Sequence, residues 1–324
     1  MNKFVKTALA ALFAVTTIQC QAQDKLSGEL TVYMPSPAKL ADKLASEFQK
    51  DTGVEVKVFQ GTTGEILARL EAEKSNPVAD VVILASWSDG LLLKEQGVLE
   101  SYDLPSKGKV VEGFIDKDNE LFGSSASAVG IIYNKTIVDN LNADWDELAT
   151  DKYKDMTAMP DPEKSGACKD FLAGFVAQNG MTTLENLAKN GMIIPGANKA
   201  ALEAVTTGEV AILVAGVDYN AYSSMKKGEP LGFYYPQGGT IINPRPAMIL
   251  KSAPDKENAK AFVNFLFSDK AQNLVKDAYL IPGRVDIKSD KRSNLEDIPT
   301  IRADWEKMTK IASKTAATVN KLCK

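Results

Sequence analysis

Glu29-Leu30-Thr31-Val32-Tyr33-Met34-Pro35 opens the part of the sequence that decides the fold. A short run rich in β-branched and aromatic residues stops at a proline, and Leu40, Leu44 and Phe48 then recur at helical spacing as far as Gly53. Residues 54–59 are a second β-like run. Gly61-Thr62-Thr63-Gly64 leads from it into a helix carrying Ile66, Leu67 and Leu70. Residues 80–84 read as a third strand and residues 88–96 as a third helix. This alternation predicts βαβ units: a mostly parallel sheet covered by helices, in the α/β class.

Downstream the theme continues. Residues 121–133 look extended and carry the small residues Gly123-Ser124-Ser125-Ala126-Ser127. A helix is predicted from Ser165 through Leu172, Phe175 and Val176, a shorter one at 198–207, a strand at 209–215 and a helix at 219–227. A Pro/Gly-rich passage, 236–246, precedes a strand at 247–250 and a mainly helical remainder. One lobe built from both ends of the chain, with a second inserted in the middle, fits this order. The expected division is a leader at 1–22, a first lobe from 23–124 and 245–324, and a second lobe from 125–244, with crossings near Ser125 and Asn243.

Lys3 and Lys6 followed by a short apolar run and small residues near Ala22 read as an export signal cleaved there. Cys20 leaves lipidation open as an alternative. Removing residues 1–22 takes two lysines and no acids from 38 basic and 42 acidic residues, leaving a net charge of about −6. With its basic residues scattered and outnumbered, the chain carries no nucleic-acid footprint, and it has no apolar stretch for membrane insertion. Of the cysteines beyond the leader, Cys168 and Cys323, a disulfide is expected in an oxidising periplasm, two buried thiols being the other reading. The sequence contains no histidine, which removes Ser-His-Asp, Cys-His and HExxH chemistry. Carboxylate chemistry remains open, but no pair of acids stands out for it.

Thr31-Val32-Tyr33, Asn76-Pro77-Val78-Ala79-Asp80-Val81, Gly208-Glu209-Val210, Asn243-Pro244-Arg245-Pro246 and Tyr279-Leu280-Ile281-Pro282-Gly283-Arg284 together resemble the periplasmic binding proteins of ABC importers. The resemblance runs from about Leu30 to Asp286 and is closest to the group with ferric-ion and hexose-phosphate binders. It implies a two-lobed fold of type 2 with two hinge crossings and a ligand cleft between the lobes. The function implied is non-enzymatic: a periplasmic monomer without cofactor that delivers a small anionic solute to an ABC permease in the membrane. The ferric members hold iron with a histidine after the first strand, a glutamate after the third and a tyrosine pair. Here those positions read Met34-Pro35-Ser36-Pro37, Ala85-Ser86-Trp87-Ser88 and Asp218-Tyr219, so most of the anionic ligand set is missing and no metal site is expected.

The resemblance also implies an anion site where Ser165-Gly166-Ala167 begins a helix, with Asn198 at a second anion-contacting position. Unpaired N–H groups and the positive end of a helix dipole suit a phosphate. Ser165 and Asn198 read equally well as helix N-caps. Thr62-x-x-Glu65 is a capping box, yet the loop with Thr62 and Thr63 borders the cleft in relatives. Trp87 suits core packing or a wall for a sugar face. Asp218 and Tyr219 would read the organic part, while Ser36 and Ser86 lie on loops facing the cleft. The expected solute is a phosphorylated organic anion, with ferric ion plus a synergistic anion, held by Tyr219 and Tyr222, as the alternative.

Overall fold

The computed structural model describes residues 26–324. The leader at 1–22, its cleavage near Ala22 and Cys20 lie outside the described residues. β1 (Glu29–Met34) feeds α1 (Ala38–Thr52), which buries Leu40, Ala41, Leu44 and Phe48 along one stripe. Gly53 ends α1 at a φ of 82°, a left-handed cap that glycine takes without a Cβ clash. Each large side chain on that stripe contributes roughly 1.5–3 kcal/mol by leaving water. β2 (Glu55–Gln60), α2 (Thr63–Ala72), β3 (Val81–Ile83) and α3 (Trp87–Glu95) complete the alternation. β1 pairs in parallel with both β2 and β3, as the βαβ pattern requires.

After β4 (Leu99–Glu100) the chain extends as β5 (Phe122–Ser127) and resumes one residue later as β6 (Val129–Asn134), in another sheet. Around that sheet come β7 (Thr157–Ala158), α4 (Gly166–Asn179), α5 (Thr182–Lys189), α6 (Asn198–Thr206), β8 (Ile212–Val217), α7 (Asp218–Lys226) and β9 (Leu231–Tyr234). The chain returns as β10 (Asn243–Leu250), then α8 (Lys256–Leu266), α9 (Asp269–Asp277), β11 (Ile281–Pro282) and α10 (Trp305–Leu322).

The larger sheet has the order β11-β5-β10-β3-β1-β2, with β4 also beside β10; the smaller has the order β7-β8-β6-β9. The larger sheet is mixed, not mostly parallel. β10 runs antiparallel to β3, β4 and β5, because it re-enters from the direction in which β5 left. The extended stretch expected over 121–133 is therefore two strands in two sheets, changing over at Ala128. α10 lies along α4 and also touches α3 and α5, so the end of the chain packs against elements of both sheets.

The expected disulfide is absent: Cys168 and Cys323 are both free. Cys168 is fully buried in the first turn of α4, its thiol directed at the Pro160 carbonyl 3.6 Å away. Cys323 sits at the C-terminal end of α10. Burial pushes both thiols up, that of Cys323 to about 11.

Candidate functional site

The strands β1, β2, β3, β7 and β8 deliver the chain into α1, α2, α3, α4 and α7 respectively, so their carboxyl ends and the following helix starts gather in one region. A cavity of about 900 Å³ opens there. One wall comes from the larger sheet: Pro35 and Ser36 after β1, Gly61 to Thr63 after β2, and Ala85 after β3. The opposite wall comes from the start of α4 at Gly166, the start of α6 at Asn198 and Lys199, and the first turn of α7 at Tyr219. The walls approach closely at two glycines. A Cβ on Gly166 would stand 2.5 Å from the Ala85 carbonyl oxygen, and one on Gly64 would stand 2.8 Å from that of Glu163.

Six of the residues singled out from the sequence line this cavity: Ser36, Thr62, Thr63, Gly166, Asn198 and Tyr219. Thr62 is the N-cap of α2 in a complete capping box, its N–H donating to Glu65 at 2.7 Å while its hydroxyl accepts from the Glu65 N–H. The Thr63 hydroxyl accepts from the Ala85 N–H at 3.1 Å and so fixes the loop after β3. Asn198 is the first residue of α6, and its buried Oδ1 has no hydrogen-bond partner. Burial pushes the Tyr219 phenol up, with Arg245 beside it acting in the opposite direction.

Five others lie outside the cavity lining. Ser165 is the N-cap of α4: its hydroxyl accepts from the Cys168 N–H at 3.3 Å, and the residue is 1% exposed. Ala167 is buried behind it. Ser86 is the N-cap of α3 and donates to Asp170 at 3.0 Å. Trp87 is core packing and not a wall for a sugar: it is buried against Trp305, with ring centroids 6.3 Å apart. Asp218 is fully buried and its carboxylate is fully engaged. It accepts from the N–H groups of Ala128 at 2.9 Å and Tyr219 at 2.7 Å, from the Tyr235 hydroxyl at 3.1 Å and from Arg292 at 2.8 Å. It ties the β5–β6 crossing to α7 and to the segment before α10. Burial would pull Arg292 down, but Asp218 and Tyr235 hold it above its ordinary range.

Sequence reasoning missed two groups. Asp170 of α4 is fully buried and accepts from the Trp87 N–H at 2.7 Å and from the Ser86 and Ser88 hydroxyls, capping α3 from across the molecule. Beside it Lys169 pairs with Asp89 at 2.8 Å. Burial, reinforced by the Asp89 charge, pushes Asp170 up to about 7. The second is Arg245 of β10, 1% exposed, which donates to the Pro35 carbonyl at 3.0 Å and whose Cζ lies 5.9 Å from the centre of the Tyr219 ring. A visible signal existed: an arginine between two prolines at the start of a crossing strand.

Among the described residues, the group of acids close enough to hold a metal is Asp116, Asp118 and Glu120, far along the chain from the cavity loops. The Lys94 ammonium already sits on it, paired with Asp116 and Asp118. Tyr222, the tyrosine expected beside Tyr219 for a phenolate pair, does not line the cavity. The Tyr222 ring is stacked on Tyr279 with centroids 6.2 Å apart.

Comparison with known proteins gives a consistent result. "Iron uptake protein A1" of Synechocystis is 25% identical over 266 residues, covering 75% of this chain and 72% of the relative. A "putative 2-aminoethylphosphonate-binding periplasmic protein" of Salmonella typhimurium is 24% identical over 278 residues, covering 80% of each. Among solved structures, AfuA from Actinobacillus pleuropneumoniae with fructose-6-phosphate bound superposes with a TM-score of 0.80 at 22% identity, covering 91% of this chain and 97% of that one. Iron-bound HitA from Pseudomonas aeruginosa gives 0.79 at 20% identity, covering 90% and 99%. At these identities the superpositions show the fold, a two-lobed periplasmic-binding-protein architecture. A family model matches residues 76–310, and by that match the chain belongs to the bacterial extracellular solute-binding proteins.

Proposed function

We propose that this chain is the solute-capturing component of an ABC importer, exported by the leader at 1–22, and that its solute is a small phosphorylated organic anion. A sugar phosphate or a phosphonate is the class meant. The observation that carries this reading is the convergence of four helix starts, those of α2, α4, α6 and α7, on one cavity. The first N–H groups of a helix lack intrahelical partners, and the dipole places partial positive charge there. An anion between them is the natural occupant. Gly166, with no side chain to shield its N–H, sits at the start of α4, while Asn198 and Tyr219 border the space for an organic part.

The two sheets are the cores of two lobes, and closing them over the solute gives the membrane permease one shape to recognise. That is a population shift driven by binding, with no bond made or broken. Ferric ion with a synergistic anion finds less support. Among the described residues Tyr219 is the one tyrosine that lines the cavity, and Asp218 is committed to Arg292. Mass spectrometry of the solute released on denaturing freshly purified protein tests the reading. A phosphorus-bearing metabolite of sugar size is expected; protein that carries ferric ion and no organic phosphate would overturn it.

A further inference from the structure

Three arginines are buried among the described residues, and two of them are matched by acids. Arg284 pairs with Asp269 and Asp286, both at 2.6 Å, and donates to the Phe267 carbonyl. Arg292 pairs with Asp218 and donates to the Tyr279 carbonyl. Arg245 differs. It has no carboxylate partner; its Nη2 donates to the Pro35 carbonyl, and its buried Nη1 donates to nothing. The other buried side-chain atoms without partners are hydroxyl and amide oxygens, so Arg245 is the charged one. A buried guanidinium with half its fork unused is costly unless a counter-charge arrives.

The position of Arg245 says where that counter-charge would come from. Its guanidinium lies behind Pro35 and Tyr219, which both line the cavity; Arg245 itself is outside the lining, so an anion reaching Nη1 has to enter between those two residues. Asp218, next to Tyr219 in the chain, is already taken by Arg292. The placement is built in locally: Pro244 and Pro246 fix the backbone on either side, and the β5–β10 register shifts immediately after Arg245. Such a bulge bends its strand and re-aims the side chain that it carries.

We infer that Arg245 is an anion-recognition residue of the cleft, its free Nη1 donating to a phosphate or phosphonate oxygen of the solute. This rests on the reading of the cavity as an organic-phosphate site and adds a charged anchor to its helix starts. Arginine suits the task because its planar fork can hold the Pro35 carbonyl and an anion oxygen together.

The test is calorimetric titration of wild type, Arg245→Met and Arg245→Lys with fructose 6-phosphate, 2-aminoethylphosphonate and inorganic phosphate, with thermal melts alongside. A charge-assisted hydrogen bond of the usual strength predicts that Arg245→Met weakens every phosphorus probe that the wild type binds by about 10- to 150-fold. Affinity unchanged in a folded Arg245→Met overturns the inference while leaving the phosphate reading standing. Should Arg245→Met fail to fold, Arg245→Lys decides. Lysine keeps the charge but cannot span both oxygens, so a loss of tenfold or more supports the inference, and full affinity overturns it. Wild type that binds none of the three probes sinks the phosphate reading itself, and the inference with it.

Discussion

Asp218→Ala separates a structural carboxylate from a ligand-reading one. In the native protein this carboxylate takes four hydrogen bonds and neutralises Arg292, with side-chain exposures of 0% and 1% for the two partners. Truncation would leave Arg292 as a buried cation with a hydroxyl and carbonyls as its remaining acceptors. Breaking a buried pair from one side costs about 3–5 kcal/mol, a large share of the 5–15 kcal/mol that typically holds a domain folded. With a urea slope of about 3 kcal/mol per molar, the midpoint should fall by about 1–1.7 M. Asp218→Asn should not rescue it, because an amide would aim N–H donors at Ala128 N–H or at Arg292. Pairing Asp218→Ala with Arg292→Met should cost less than the sum of the two, since the orphaned charge is gone. The assay is urea unfolding followed by circular dichroism for Asp218→Ala, Asp218→Asn, Arg292→Met and the Asp218→Ala/Arg292→Met double variant. A variant Asp218→Ala that unfolds with the wild type but loses solute affinity would refute the reasoning and restore the carboxylate to the ligand.

Three further outcomes are expected. Ser165→Ala should lower stability by about 1 kcal/mol, the usual cost of an N-cap, and leave solute affinity within about twofold, measured by melts and calorimetry. Asp170 holds its proton up to about 7 in the native state but loses it near 4 in the unfolded chain, so the native state binds the extra proton between those values. Stability should therefore fall as pH rises from about 4 to 7, and the wild type should gain on Asp170→Asn as pH drops from 7 to 5; a constant difference would count against it. Both cysteines should react with a thiol reagent in denatured, unreduced protein, whereas in the native state Cys323 should label slowly and Cys168 not at all.

Local signals were legible and long-range ones were not. The β1-to-α3 alternation, the α1 stripe and the α2 capping box depend on neighbours within a few residues, and the pattern states them directly. Ser165 shows the limit of that reading. A serine at a helix start satisfies the same N–H groups whether it caps or binds, and the bond that its hydroxyl already takes from the Cys168 N–H decides for the cap. Asp218 looked like a cleft residue because its fate depends on Arg292, 74 positions away, which no local pattern connects to it. Asp170 was missed, and Trp87 was left between core packing and a sugar wall, for the same reason: the start of α3 is capped from α4 and covered by α10. The cysteines were paired from compartment chemistry, which carries no information about where the two thiols point.

The distribution of polar partners ties the fold to closure. Where the sheets join, three buried polar groups are matched: Asp218 with Arg292, Asp170 with the start of α3, and Asn243 with the Ala85 carbonyl at 2.7 Å. Around the cavity two buried groups stand unmatched, an acceptor on Asn198 and a donor on Arg245. A neutral group left so costs about 1–3 kcal/mol, and a hydrogen bond to a charged one contributes about 1.5–3 kcal/mol. A solute carrying both a phosphate oxygen and a hydroxyl or amine would satisfy the two together, for about 2.5–6 kcal/mol. Moving a two-state lobe equilibrium from 1:99 to 99:1 takes about 5.5 kcal/mol of differential binding. The two unmatched groups are thus of the right size to make closure depend on a solute with both features. Inorganic phosphate, which can answer Arg245 alone, should bind without completing it; small-angle scattering that shows equal compaction with phosphate and with a full sugar phosphate would contradict this coupling.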